Sequence, residues 1–338
     1  MTQDKQLNNE EARQPVRDQL KELAESSEPL NIRLTNDFAF KTTFHEKEPL
    51  KGLLSAILLI PPEEIADIEF LDTQLYGEYA EDHEGIVDIK LYLNGDKKIN
   101  IEMQLARFPS WQERSLFYLC KMYVEGFEKG KGYGKLERCI HISILSFDLY
   151  DNPPFFSTIE LWDRENNINY SDKLSLRVLE LSQIDKVDDE TKRTDIYKWA
   201  KMITATDREA LEKIGKGDKY MEAAKEEMNK INADKAKRYR YLQEEKREAD
   251  AATLKLYYEQ QEEKREADAA TLKLYYEQMV DESWTEGKTE GKTEGNTEGE
   301  ERNNQLVKNL IASNRYSDLA KSTEDKEFRK KLYKEFGL

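Results

Sequence analysis

The sequence has few cysteines, few histidines and no long apolar run. Its 338 residues include two cysteines, Cys120 and Cys139, and no signal-like start, which argues against a disulfide-bonded secreted scaffold. The three histidines lack the spacing of a metal site or a catalytic triad. No apolar run is long enough to span a membrane. We therefore expect a soluble, cytoplasmic protein with no membrane partner.

Positive charge is also scarce. The chain carries 53 lysines and arginines against 69 aspartates and glutamates, a net charge of -16. Even residues 31–150 contain 14 basic against 20 acidic side chains. A protein that holds DNA by neutralising phosphates over a broad surface is usually basic. Any contact with nucleic acid must therefore be local.

The hydrophobic fraction of 38% is low for a fully globular chain, so much of the length should be solvated. We predict five segments: a disordered acidic tail (1–30), a folded α/β domain (31–215), a long charged helix (216–284), a Glu-Gly repeat tract (285–300) and a small helical tail (301–338). With glycine at every fourth position, the repeat tract is either a weak helix or a flexible linker.

The long charged helix contains a perfect tandem repeat, since residues 243–260 recur without mismatch as 261–278. Eighteen residues make about five helical turns, so a second copy lengthens a helix by ~27 Å without rotating the residues after it. Ala251, Leu254 and Tyr258 form a narrow apolar seam in the first copy. This seam could pair two chains in a homodimer, or the helix could stay solvated without a partner.

Apolar periodicity and turn residues predict alternating helices and strands in the folded domain. The predicted helices cover 36–59, capped by Asn36 or Asp37, 110–128 and 195–214. The predicted strands cover 67–79, 85–93, 97–105, 139–147 and 174–181.

Two of these strands should form a hairpin that brings carboxylates together. Apolar and polar residues alternate in both strands, and Asn94-Gly95-Asp96 between them is a turn signal. A two-residue loop would mix the polar and apolar faces, whereas a three-residue loop sets Asp88 opposite Glu102, with side-chain roots ~5 Å apart. Two carboxylates held this close require a cation, and oxygen ligands suit Mg²⁺ or Mn²⁺.

This Asp-then-Glu-x-Gln pattern resembles the PD-(D/E)XK nucleases, in a variant where Gln104 replaces the usual lysine. The segment Asn36 to Lys41 upstream and the helix after Arg107 downstream are similar to the Rpn-type recombination-promoting nucleases, also described as PD-(D/E)XK family transposases. The resemblance covers about residues 31–215, with a looser likeness in the repeat-bearing tail. It implies an α/β, restriction-endonuclease-like core with a mixed sheet flanked by helices, to which a long C-terminal helical extension is added.

The resemblance also implies an activity, Mg²⁺-dependent cleavage of DNA by an endonuclease, and a role for each residue of the motif. Asp88 and Glu102 would bind the metal, with Asp37 as a third ligand. Gln104 would orient water or a phosphate oxygen, and Lys41 would supply the charge that an amide lacks. The expected DNA contacts are Lys90, Arg107 and Arg114.

Other interpretations remain open. Asp88 could form an ordinary salt bridge with Lys90 or Arg107, and Asp37 could be only a helix cap. Trp111 and Tyr118 fit packing better than base stacking. At the level of function, the alternatives are a catalytically inactive nuclease fold that serves as a binding or regulatory module and oligomerises through its C-terminal helix, and an oligomeric scaffold.

Overall fold

A mixed six-stranded sheet organises the fold in a computed structural model, which describes residues 3–75, 85–127, 130, 132–290 and 297–338. The strands are β1 (Ile68–Phe70), β2 (Gln74–Leu75), β3 (Gly85–Ile86), β4 (Ile89–Leu93), β5 (Lys97–Gln104), β6 (Arg138–Leu145), β7 (Phe156–Asp163) and β8 (Ile168–Glu180). The helices are α1 (Gln3–Glu25), α2 (Asp37–Phe44), α3 (Lys47–Leu58), α4 (Trp111–Val124), α5 (Asp195–Thr204), α6 (Arg208–Lys213), α7 (Lys219–Ala233), α8 (Lys235–Glu290), α9 (Thr297–Ala312), α10 (Tyr316–Glu324) and α11 (Lys326–Glu335).

The strand order of the sheet is β1-β4-β5-β6-β8-β7. The β1/β4, β4/β5 and β7/β8 pairs are antiparallel, whereas β5/β6 and β6/β8 are parallel. Strands β2 and β3 form a separate two-stranded ribbon. The predicted α/β class with a mixed sheet and flanking helices is confirmed.

The two faces of the sheet bury different chemistry. Helices α2, α3, α5 and α7 contribute to one apolar core with the alternate residues Ile99 and Ile101 of β5 and Ile140 and Ile142 of β6. Gly52 lets α3 approach α5 and α7 closely, since a Cβ there would collide with Tyr220 Cβ and lie 2.7 Å from Trp199 Cζ2. The opposite face is more polar and packs against α4. It carries the candidate site.

Two predicted helices are each divided in the structure. The helix predicted over 36–59 ends at Phe44 and restarts at Lys47 as α3. Pro49 explains the break, because in a continuous helix its ring would clash with the carbonyl of His45. The helix predicted over 195–214 breaks where Asp207 caps α6 by accepting a hydrogen bond from Ala210 N.

The strands also differ in detail from their predicted bounds. The first predicted strand, 67–79, contains β1 and β2, and its residues 76–79 lie outside the described part of the chain. Strand β8 begins at Ile168, six residues before the predicted start at 174. The sequence did not predict β7, because this edge strand is half-exposed and lacks a clear apolar alternation.

The ends of the folded domain were predicted incorrectly. Residues 3–25, expected to belong to a disordered tail, form α1. Instead of ending at 215, the first compact unit runs to Ala249 and includes α7 and the start of α8. Met221, Ile231 and Tyr241 of these helices lie in the apolar core, which explains why the unit continues.

The second compact unit covers Asp250–Leu338. Helices α9, α10 and α11 surround a small core formed by Leu306, Leu310, Leu319 and Leu332. Of the predicted Glu-Gly tract, 285–290 belong to α8 and 297–300 to α9, while 291–296 lie outside the described residues. Within the described part of the chain, the helices are all too short or too polar to cross a membrane.

Candidate active site

The β4–β5 hairpin has the predicted register. Leu93 lies opposite Lys97 across the loop at Asn94 to Asp96, and Ile89 lies opposite Ile101. Asn94 and Gly95 adopt positive φ angles of 54° and 69°, a conformation that asparagine and glycine tolerate best. The next position along this register therefore sets Asp88 opposite Glu102.

Asp88 directly precedes β4, and its side chain is anchored to β5. Its Oδ2 accepts a hydrogen bond of 2.9 Å from the backbone N–H of Met103. This bond fixes the carboxylate next to Glu102, the neighbour of Met103 in β5. Strand pairing and one side-chain bond thus determine the position of Asp88.

Lys41 links Asp88 to a second aspartate on α2. Its Nζ lies 3.0 Å from Asp88 Oδ1 and 2.8 Å from Asp37 Oδ1. Partial burial acts against the charge of the ammonium group, but the hydrogen bond to Asp37 and the charge of Asp88 outweigh it and raise the pKa of Lys41. The group is therefore a permanent cation between two carboxylates.

Glu102 is the most buried carboxylate of the site, with 3% of the residue exposed. Its Oε1 accepts a hydrogen bond of 2.8 Å from Arg114 Nη2, whereas its buried Oε2 has no hydrogen-bond partner among the described residues. Burial, together with the charge of Asp88, raises the pKa of Glu102 to about 8, although Arg114 acts in the opposite direction. The carboxyl is therefore mostly protonated at neutral pH, and one of its oxygens makes no hydrogen bond within the described residues.

Arg114 of α4 is held in an aromatic surrounding. Its guanidinium carbon lies 5.2 Å from the ring centres of Phe108 and Tyr118 and 5.4 Å from that of Trp111. Its Nε also donates a hydrogen bond of 2.9 Å to the Tyr118 hydroxyl. These contacts direct the guanidinium towards Glu102. The i, i+4 spacing of Arg114 and Tyr118 was a usable sequence signal, but the sequence analysis assigned Tyr118 only to packing.

Beneath Arg114, a buried polar group of three side chains, Asn100, His141 and Ser143, supports Trp111. Trp111 Nε1 donates to Ser143 Oγ at 3.3 Å, and His141 lies 2.9 Å from Ser143 and 2.8 Å from Asn100. Complete burial, aided by the charge of Arg114, lowers the pKa of His141 to about 3 and keeps the imidazole neutral. Sequence analysis missed this group, although His141 and Ser143 alternate with isoleucines in β6.

Three predicted site residues lie elsewhere or make other contacts. Lys90 is 3% exposed, and its Nζ lies 2.7 Å from Glu125, so its position does not support the predicted DNA contact. Gln104 follows Glu102 on the same face of β5, but its amide donates to the carbonyl of Ala106 at 3.0 Å. Arg107 is exposed and lines an open depression formed with the loop at 148–152.

The start of α8 adds a residue that sequence analysis placed outside the domain. Glu248 Oε1 accepts a hydrogen bond of 3.2 Å from the backbone N–H of Asp37. The site therefore contains side chains from four elements: Asp37 and Lys41 on α2, the hairpin acids, Arg114 on α4, and Glu248 on α8.

The oxygen atoms of this site fit a hard divalent cation. The part of the chain that the structure describes contains no group of three or more His, Cys, Asp or Glu side chains arranged to hold a metal ion. Mg²⁺, however, is usually bound by one or two carboxylates and keeps several water ligands. Asp88 and Glu102 provide such a pair, and Glu102 Oε2, which has no hydrogen-bond partner among the described residues, is a candidate ligand atom for the metal.

Comparison with protein families gives one match. Residues 34–257 match the model of the PD-(D/E)XK nuclease family transposase. The match covers the whole site, including Glu248, and extends past residue 215 into the repeat-bearing segment, where the sequence showed only a looser likeness. No curated protein and no solved structure matches the chain.

Proposed function

Because the chain belongs to the PD-(D/E)XK nuclease family transposases, we propose that it is a metal-dependent endonuclease that hydrolyses phosphodiester bonds of DNA in the cytoplasm. Family membership indicates a nuclease-like activity. The observation that best supports the finer proposal is the proximity of Asp88 to Glu102, one of whose buried oxygens has no partner among the described residues. Proteins of this family generally use divalent metal ions.

Asp88 and Glu102 would hold Mg²⁺ or Mn²⁺, with Asp37 as the third acidic side chain. Such an ion, when bound, activates water and stabilises the charge of the phosphate in the transition state. The chain itself must deliver both carboxylates in ionised form. Because the pKa of Glu102 is about 8, this carboxyl must lose a proton before it can bind a cation at neutral pH.

Lys41 compensates for the usual lysine of the motif, which Gln104 replaces in this chain. An amide can orient a water molecule or a phosphate oxygen, but it cannot neutralise charge. The ammonium of Lys41 lies 3.0 Å from Asp88 and remains protonated, so it can bring positive charge to the scissile phosphate from α2. Lys41 on α2 would thereby supply the charge, and Gln104 on β5 would supply the hydrogen bond.

Arg114 and Arg107 would contact the phosphate backbone. Arg114 has a preferred direction, because three aromatic rings and a hydrogen bond to the hydroxyl of one of them, Tyr118, restrict its guanidinium group. Arg107 is exposed on the segment that follows β5. With a net charge of -16, DNA binding should depend on these local contacts and show a modest dependence on salt.

A specific observation favours a second function, a catalytically inactive nuclease fold that binds or regulates a partner. Lys41 already pairs with Asp88, and Arg114 already pairs with Glu102. Both acidic side chains therefore already have a basic partner without a metal. In this alternative, the chain would oligomerise through α8, where Leu254 and Tyr258 are 54% and 63% exposed.

Cleavage of supercoiled plasmid with Mg²⁺ or Mn²⁺ tests the proposal. Asp88→Asn keeps an acceptor for Met103 N but removes the charge, and we expect a loss of activity on the order of 10³-fold. Asp96→Ala is the matched control, because Asp96 is an exposed acid in the turn of the same hairpin. Cleavage by the wild type and by Asp96→Ala, but not by Asp88→Asn, supports the nuclease.

The alternative predicts another result in the same assay. If the wild type leaves the plasmid intact over a range of metals and salt concentrations, the enzymatic proposal is wrong. Sedimentation of the intact chain would then test oligomerisation through α8, and a monomer at all concentrations would exclude the scaffold.

A further inference from the structure

The first turns of α8 are anchored to the segment that leads into α2. Arg238 is 4% exposed, and its guanidinium donates to the carbonyls of Leu23, Ala24 and Glu28 at 2.8 to 2.9 Å. One turn later, the Tyr241 hydroxyl lies 3.0 Å from the carbonyl of Asn31. These buried contacts fix the position of α8 relative to residues 23–31.

Two glutamates continue the same face of α8 and reach the beginning of α2. Glu245 Oε1 lies 2.6 Å from Arg33 Nη2, and Glu248 Oε1 lies 3.2 Å from Asp37 N. Positions 238, 241, 245 and 248 follow helical spacing, so one side of the helix makes all these contacts. The last of these contacts, from Glu248, is made with the backbone of Asp37.

The second copy of the repeat lacks this environment despite its identical sequence. Glu263 and Glu266, the counterparts of Glu245 and Glu248, are exposed. The buried anchor Tyr241 precedes the repeat and has Glu259 as its counterpart 18 residues later. Only the first copy is therefore preceded by the anchoring side chains.

We infer that Glu248 is a positioning residue for Asp37, so that the first copy of the repeat is part of the active site. This inference rests on the proposed function, in which Asp37 is a metal ligand. The backbone N–H of Asp37 lies in the first turn of α2, where Glu248 restricts its position, and Lys41 joins the Asp37 carboxylate to Asp88. Glu248 acts through the backbone of Asp37 and does not touch substrate.

Three full-length variants test this role by Mn²⁺ titration calorimetry and plasmid cleavage. Glu248→Ala removes the acceptor, and we expect about tenfold weaker Mn²⁺ binding, as is typical when a partner of a metal ligand is removed. Glu248→Gln retains an acceptor oxygen and should recover the affinity to within about threefold. Glu266→Ala makes the same change in identical local sequence and should bind Mn²⁺ like the wild type.

The outcomes separate this inference from the nuclease proposal. Equal Mn²⁺ affinity of Glu248→Ala and Glu266→Ala overturns the positioning role, whether or not the wild type cleaves DNA. Weaker binding by Glu248→Ala alone supports it, even if the wild type leaves plasmid intact and the nuclease proposal fails. A wild type that binds no Mn²⁺ overturns the inference together with the metal site.

Discussion

Both ends of the polar sheet face contain acid–base pairs, but at one end the hairpin carries the acids and at the other end the strands carry the lysines. At the site end, carboxylates of Asp88 and Glu102 belong to the hairpin, and their cationic partners come from helices. At the other end, Lys90 and Lys98 belong to the strands, and their partners come from Glu125 and Glu137, after α4.

The difference lies in what each end leaves available for binding. Lys98 Nζ donates to the carbonyl of Glu125 at 2.8 Å and lies 3.3 Å from Glu137, and Lys90 pairs with the Glu125 carboxylate. A buried ammonium that has its partners makes a structural contact. Glu102, in contrast, keeps a buried oxygen with no partner among the described residues. The site end therefore leaves one carboxyl oxygen unpaired, whereas both lysines at the other end already have acidic partners.

Substitution of Glu125 should produce the largest stability effect and leave the chemistry intact. Glu125→Gln removes the counter-charge of Lys90, which is buried, so we expect a loss of about 2–3 kcal/mol in the free energy of unfolding. Urea denaturation measures this loss. Plasmid cleavage per folded molecule, measured at low temperature, should stay within about twofold of wild type. A tenfold drop in cleavage would mean that the two ends are not separate in function.

Substitution of Arg114 should act at the site end, where it should lower cleavage activity. Arg114→Met removes the partner of Glu102 Oε1, and we expect cleavage to fall about 10- to 100-fold. Because Arg114 lowers the pKa of Glu102, its loss should also shift the pH optimum of cleavage upwards.

Arg114→Lys is the control for charge, since lysine keeps the cation but loses the planar fork of donors. We expect it to retain the wild-type pH optimum more closely than Arg114→Met. Equal pH profiles in both variants would contradict an electrostatic action of Arg114 on Glu102.

The pH dependence of stability should reveal both buried titratable groups. Folded Glu102 keeps its proton up to about pH 8, whereas the unfolded carboxyl has a pKa near 4.5, so its contribution to stability decreases as pH rises between these values. His141 acts in the opposite direction, because burial lowers its pKa from 6.5 to about 3 and its contribution is lost as pH falls through that range. The two contributions oppose each other between pH 4.5 and 6.5.

Between pH 6.5 and 8, only the Glu102 contribution of this pair still changes with pH. We expect wild-type stability to fall there by at most about 1.4 kcal/mol per pH unit. Glu102→Gln cannot titrate and should lack this decrease. Urea titrations of both proteins at pH 6.5 and pH 8 provide the measurement, and parallel slopes would show that Glu102 titrates normally.

Local sequence information was sufficient to predict the register of the β4–β5 hairpin. Alternation in the two strands and the turn at Asn94 to Asp96 determine the register, and the register brings Asp88 and Glu102 together. The same alternation was not enough for Lys90, because its burial depends on Glu125, which is supplied by a distant helix end.

Residues that depend on tertiary contacts were missed for the same reason. Glu248 lies in a charged helix whose composition resembles that of the solvated second copy, and only packing of Tyr241 in the core distinguishes the two. Likewise, nothing in the order of residues shows that Ser143 on β6 meets Trp111 on α4. Pattern analysis predicts pairs within a hairpin well, but it does not identify partners from distant elements.

The uncharged polar group beneath Trp111 should give the smallest effect when it is substituted, and the result should show how far the site end extends along the polar face. Ser143→Ala removes the hydroxyl that contacts both Trp111 and His141, so we expect a loss of about 1 kcal/mol of stability. Because Trp111 lies beneath Arg114, cleavage should fall by roughly threefold, less than for Arg114→Met.

Ser175→Ala is the matched control for this smallest effect. Ser175 is a buried serine on β8 in the same sheet, and its hydroxyl has no hydrogen-bond partner among the described residues. Since no bond is lost, stability and cleavage should both stay at the wild-type level or rise slightly. If Ser143→Ala also cleaves like the wild type, the support for Arg114 ends at its aromatic neighbours. If it loses as much activity as Arg114→Met, the site end includes the polar group around His141. The division of the polar face into two separate ends would then be wrong.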